Sequence, residues 1–166
     1  SADRLDEALA RFEEALDAND KVPEQRLALR HGAEALLDTG RAEDALVWID
    51  RLRETSTEST MADYLEAIAH ADRGDEATSL EMLMKLRDVH DEDGFAIPDH
   101  TLRLRRALLL RNASRWSESA DELLAILNGD TVPPWSLLAE MHWRAGRNPD
   151  EVAGTITYND EAIVPG

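Results

Sequence analysis

The chain has 166 residues, 43% of them apolar and 32% charged, enough apolar side chain for a packed core and a composition that weighs against disorder. Its formal charge of −17, from 35 acidic and 18 basic residues, weighs against nucleic acid and anionic membranes. Phosphate tracking requires a basic stripe, and here the basic residues are interleaved with acidic ones. With no cysteine, disulfides, thiolate zinc sites and cysteine nucleophiles are excluded. No apolar run approaches the ~20 residues that span a bilayer. The opening SADRLDEAL lacks a basic segment followed by an apolar one, so a soluble chain is expected, cytoplasmic rather than periplasmic. Lysine occurs only at Lys21 and Lys85, which fits a GC-rich genome or, as a sharper reading, adaptation to high salt.

In chain order, Arg4 to Leu16 reads as a helix with Leu5, Leu9, Phe12 and Leu16 on one stripe. Pro23 suits the first turn of a second helix that ends at Gly40, and Leu29, Gly32, Ala33 and Leu36 form its stripe. A returning helix from about Ala42 to Glu54 carries Ala45, Leu46, Ile49 and Leu52. Neither member of this pair buries its stripe alone. The punctuation recurs 34 residues on, where Gly74 separates a helix carrying Met61, Tyr64, Leu65 and Ile68 from one over about Glu76 to Val89 with Leu80, Leu83, Met84 and Leu86. HDEDGFAIPDH, His90 to His100, reads as a longer solvated connection. It shifts the next turn to Ser114, between a helix over Thr101 to Asn112 that Asp99 caps and a partner that Ser117 caps, ending at Asn128-Gly129. Trp135 to Ala145 forms the last strong helix, closed by Gly146. Gly154 and the β-branched run Thr155-Ile156-Thr157 leave a short final helix and a loose tail over 159–166.

These units resemble the tetratricopeptide repeat family, a 34-residue helix–turn–helix with the pattern W-x₂-L-G-x₂-Y, then A-x₃-F. Trp135-x₂-Leu138-Ala139-x₂-His142 follows the first-helix pattern, and Leu29-x₂-Gly32-Ala33-x₂-Leu36 follows it more loosely. Ala45-x₃-Ile49, Ser79-x₃-Leu83 and Ser119-x₃-Leu123 keep the small-and-large pair of the second helix, while the family's terminal proline is missing. The resemblance implies an all-α, right-handed superhelix of about nine antiparallel helices. Residues 1–158 would form one domain with a half repeat at 4–18 and repeats at about 23–55, 59–90, 99–128 and 133–158. It implies too that first helices line a concave groove for a peptide or partner domain, with Leu27, Arg30, Glu34, Tyr64, Ile68, Leu104, Leu108 and Trp143 facing it. In the middle repeats this spacing puts Asp63, Glu66, Arg103 and Arg106 at core positions and sends Met61, Tyr64, Leu104 and Leu108 to the groove. Burying those charges unpaired costs several kcal/mol. That cost favours helices rotated so that the apolar set is ordinary core, and exposure distinguishes the two arrangements.

No chemistry-bearing motif emerges. Asp91-Glu92-Asp93-Gly94 has part of a calcium loop, but His100 stands where the bidentate glutamate belongs. His31, His70 and His142 are isolated, and there is no HExxH, GxSxG, phosphate loop or dinucleotide fingerprint. The expected function is therefore a non-catalytic protein-interaction scaffold without metal or cofactor, taking a protein or peptide partner. A self-assembling module forming a homo-oligomer, or a regulatory helical arm of a larger enzyme or transcription regulator, is the alternative.

Overall fold

The computed structural model describes residues 2–18, 21–55, 59–127 and 133–147. These hold eight helices: α1 (Ala2–Ala18), α2 (Val22–Asp38), α3 (Ala42–Glu54), α4 (Met61–Asp72), α5 (Glu76–Lys85), α6 (Asp99–Asn112), α7 (Trp116–Leu127) and α8 (Trp135–Arg144). Between α5 and α6 stand two short strands, β1 (Val89–His90) and β2 (Ala96–Ile97). The short helix expected over 151–158, the tail and the stop at Asn128-Gly129 lie outside the described residues. The chain divides into two compact units, Ser1–Pro98 and Asp99–Gly166. The first is built by α2 against α3, α4 against α5, and α1 and α4 against that first pair; the second by α6 against α7, with α8 on α7.

One turn is used four times. Gly40, Gly74 and Gly146 take φ of 73°, 83° and 67°, and Ser114 takes 60° at the equivalent place. Each time the left-handed residue donates its N–H three residues back, Gly40 to the Leu37 carbonyl and Ser114 to the Arg111 carbonyl, both at 3.0 Å. The next residue donates five back: Arg41 to Leu36 at 2.8 Å, Asp75 to His70 at 2.9 Å, Arg115 to Leu110 at 2.8 Å and Arg147 to His142 at 3.1 Å. This pair of bonds satisfies helix-end carbonyls and reverses the chain in one step. The turn lies where the sequence expects it, including at Ser114, where no glycine announces it.

The turn sets the register of the helices it joins. Seven residues before it stand Ala33, Ala67 and Ala107, all at 0% exposure, and five after it stand Ala45, Ser79 and Ser119, also at 0%. These positions meet, since the Ser119 hydroxyl donates to the Ala107 carbonyl at 2.7 Å. Only a small side chain permits that approach, and Ile49, Leu83 and Leu123 then close the pair four residues further along. At Gly32 the contact is closer still: a Cβ there would lie 2.2 Å from Trp48 Cε3. The indole, edge-on to Phe12 with ring centroids 6.4 Å apart, fills the space a side chain would need.

Two expectations are revised. The second helix of the Gly74 pair ends at Lys85, because Leu86 turns to an extended backbone with ψ 130° and leads into β1, and Met84 is left 44% exposed. Asp99 begins α6 and accepts from Arg103 Nε at 2.6 Å, spending its carboxylate on a side chain one turn ahead.

A left-handed conformation costs an L-residue roughly 1–2 kcal/mol that glycine does not incur, offset in part by the greater freedom of an unfolded glycine. Ser114→Gly is therefore expected to raise Tm by roughly 1–3 °C in a thermal melt followed by circular dichroism. A lower Tm would mean that the serine side chain, not its backbone, matters at this turn.

Candidate functional site

The residues expected to face a groove fall into rows counted back from each turn. Ten residues before it stand Arg30, Tyr64 and Leu104. Arg30 and Tyr64 are 6% and 3% exposed, and Leu104 is half-buried against a cluster containing Ala107, Ala120, Leu123 and Met141. Six residues before the turn stand Glu34 and Ile68, both half-buried, and Leu108, which is exposed. Leu27 near the start of α2 is 49% exposed, and Trp143 at the end of α8 is 77% exposed. The structure thus leaves the outer row and the two ends accessible and encloses most of the inner row.

The middle helices keep the register of the first pair, so the enclosure has a cause other than rotation. In α4, Ala67 is buried just as Ala33 is, and yet Met61, Tyr64 and Leu65 are buried too. The helix packs on α2, α3, α5 and β1, and these contacts enclose Met61, Tyr64 and Leu65. The charges at its core positions are satisfied at the rim. Arg53 Nη2 donates to Asp63 at 3.1 Å and to Glu66 at 2.6 Å, and Asp63 keeps half its surface in water. In α6 the same problem has a different solution. Arg106, eight residues before the turn, replaces Gly32, and Glu122, eight after it, replaces Trp48. Arg106 Nη1 lies 3.6 Å from Glu122 Oε1, and Arg103 Nη1 donates to Glu122 Oε2 at 3.1 Å. A glycine–indole contact in one pair has become an ion pair, with Arg106 and Glu122 side chains 9% and 13% exposed, in another.

The stretch expected as a solvated connection is an ordered β-hairpin laid across the first unit. β1 and β2 pair antiparallel, Val89 with Ile97 and His90 with Ala96. At the tip Asp91 Oδ1 accepts from the backbone N–H groups of Asp93 at 3.0 Å and Phe95 at 2.8 Å, and Gly94 takes φ 86°. The hairpin is tied to α4 where His90 N donates to Thr60 Oγ1 at 2.9 Å and Thr60 N to the His90 carbonyl at 3.1 Å. It is tied to α2 by two arginines. Arg26 grips Asp93 with two bonds of 2.7 Å and reaches Glu92 at 3.1 Å, while the Arg30 guanidinium lies 3.7 Å from the centre of the Phe95 ring and 3.8 Å from Asp91. The Arg26 hydrogen bonds hold the Asp93 carboxyl below the usual carboxylate range and raise the guanidinium in turn. The carboxylates that suggested a calcium loop are thus engaged by N–H groups and arginines, and among the described residues no cluster of potential ligands is placed to hold a metal. The composition signalled nothing of this, because a two-residue strand is shorter than any periodic pattern.

Residues 1–68, from α1 into α4, match the family model described as tetratricopeptide repeat. This stretch of the chain is a divergent tetratricopeptide repeat segment. Neither the curated proteins nor the solved structures provide a match. The repeat continues past the matched residues, since the turn, the alanine seven before it and the small residue five after it recur through Ser114. Among the described residues no helix is long and apolar enough to cross a membrane.

Tyr64→Ala removes a buried ring and is expected to cost about 3 kcal/mol, lowering the urea midpoint without changing the slope. A stability near wild type would show that the ring is dispensable to the core. Glu122→Ala removes the carboxylate that Arg103 and Arg106 share at a mostly buried position and is expected to cost about 3 kcal/mol in the same assay. A loss under about 0.5 kcal/mol would mean the pair behaves as a surface one.

Proposed function

We propose that the protein is a non-catalytic interaction module that takes a peptide or partner domain on the exposed faces of its first helices. The family suggests a protein partner. The observation that carries the reading is the set of apolar residues left in water on these helices: Leu27 on α2, Leu108 on α6 and Trp143 on α8, the last 77% exposed although tryptophan is among the costliest side chains to leave in solvent. Glu34 and Ile68 flank this surface in the outer row of the first unit, where the buried Arg30 and Tyr64 support it from beneath, and Leu104, half-buried, does so in the second. Each unit carries exposed apolar residues of its own, Leu27 in the first and Leu108 and Trp143 in the second. Oriented side chains for catalysis play no part in the reading, and no step of it requires a cofactor.

A second reading, self-assembly, draws on α1. Its stripe of Leu5, Leu9, Phe12 and Leu16 is only half-buried, whereas every other helix has fully buried side chains.

The test is a set of single charge insertions, Leu27→Glu, Leu108→Glu and Trp143→Glu. Each is expected to keep the wild-type Tm within about 2 °C, because the side chains already contact water. A partner captured from the native host by the wild-type chain is expected to be weakened at least tenfold by one or more of them. Undiminished capture by all three would overturn the surface assignment, and a monomer–dimer equilibrium lost with Leu9→Glu would favour self-assembly.

A further inference from the structure

The hairpin does more than connect two repeats. Strands of two residues have almost no stability of their own, so this one is held by what it touches. What it touches is the α2 face that the repeat pattern assigns to ligand, near Arg26 and Arg30. The contact has the form of peptide recognition: a bidentate arginine–carboxylate pair, a second carboxylate on the same guanidinium, and an aromatic ring under a neighbouring guanidinium. In a chain of net charge −17 these arginines form a local positive spot that matches the acidic tip. The match is incomplete. Arg30 is 6% exposed, yet its Nε and Nη1 find no hydrogen-bond acceptor: Asp91 Oδ2 lies 3.8 Å from Nε, while Asp91 Oδ1 accepts from the hairpin's own N–H groups. A buried guanidinium with unused donors, facing a carboxylate that stays beyond hydrogen-bond reach, is a site filled by a compromise ligand.

We propose that the 88–98 hairpin is an intramolecular stand-in for an acidic peptide segment carrying an aromatic residue, and that such a segment binds Arg26 and Arg30 on α2 by displacing it. The inference rests on the reading of the protein as a peptide-binding module and names the class of its ligand in the first unit. An incoming peptide free of the tip's Asx turn can direct both carboxylate oxygens at Arg30, which the hairpin does not. Phe95, already 40% exposed, marks where its aromatic residue would sit. The hairpin therefore competes with ligand and sets the affinity threshold, because the population of the open state multiplies the intrinsic binding constant.

The probe is a fluorescein-labelled peptide with the hairpin's own sequence, residues 89–97, titrated by polarisation against the full chain. A variant carrying Asp91→Asn, Asp93→Asn and Phe95→Ala, which loosens the hairpin and leaves α2 intact, is expected to bind it at least tenfold more tightly than wild type. Adding Arg30→Met to that variant is expected to abolish the gain, and a control peptide with asparagine for its three acidic residues is expected not to bind. Should the triple variant lose helical ellipticity, Asp93→Asn alone, at the solvent edge of the tip, carries the same comparison with a smaller expected gain of about threefold. Equal affinity of wild type and loosened variant, or binding that survives Arg30→Met, overturns the proposal. A concentration-dependent dimer of the wild type in sedimentation, dispersed by the same peptide, would assign the site to the hairpin of a second copy and overturn the peptide reading. Partner capture that still depends on Leu27 or Leu108 while the peptide fails to bind would sink this inference and leave the wider function standing. Loss of both would remove the function itself.

Discussion

The close approach of alanine to alanine or serine across the turns at Gly40, Gly74 and Ser114 is the constraint on which the rest of the molecule depends. Ala33 opposite Ala45, Ala67 opposite Ser79 and Ala107 opposite Ser119 bring the helices of each pair near enough for Ile49, Leu83 and Leu123 to seal the seam. A larger side chain at any of these positions would separate the axes and open a cavity along the whole pair. The left-handed turn residue delivers the helices in this register, and the two conserved-geometry bonds at Gly40, Gly74, Ser114 and Gly146 secure it. Helix identity along the rest of the chain is more permissive, since one contact is fixed and its neighbours adapt around it.

That adaptation is visible at the position beside the seam. Gly32 takes the Trp48 ring directly onto its backbone, and Arg106 takes the Glu122 carboxylate at the same step of the repeat. Both fill the space between helices, by different forces. The ring contributes apolar burial, which needs no partner geometry, whereas the ion pair must recover its desolvation cost through close approach and a second donor, Arg103. In the pair between them, Glu66 turns outward to Arg53 and leaves the seam to apolar atoms. Divergence within the repeat is thus a set of local exchanges that leave the backbone where it was.

The hairpin joins this scaffold to function. It is bonded to α4 at its N-terminal end and lies against the α2 arginines, so Arg30 is enclosed while Leu27 on the same helix remains in water. A surface assigned from repeat spacing alone would include Arg30 and Tyr64 as free contacts. In the folded chain Tyr64 belongs to the core and Arg30 to a contact made with the hairpin. The interaction surface and its internal competitor are then parts of one arrangement, built from the same helix.

Helices, turns and seams were legible because each is periodic or punctuated over many residues: the apolar stripes of α2 and α3, the glycines at 40, 74 and 146, and the small residues Ala45, Ser79 and Ser119 five after the first three turns. Even Ser114 was placed correctly, by the position it had to occupy between two stripes. The hairpin, the sharing of Glu122 by Arg103 and Arg106, and the grip of Arg26 on Asp93 were not legible. Residues 26 and 93 are far apart in sequence, and nothing local in either announces the other. The sequence by itself determined an all-α repeat with a fixed turn and a small-residue seam, because local backbone preference and helical period are written in neighbouring residues. Only the tertiary structure decided which first-helix residues stay in water and which charges find partners, because burial and pairing are properties of what folds over a residue and not of the residue itself.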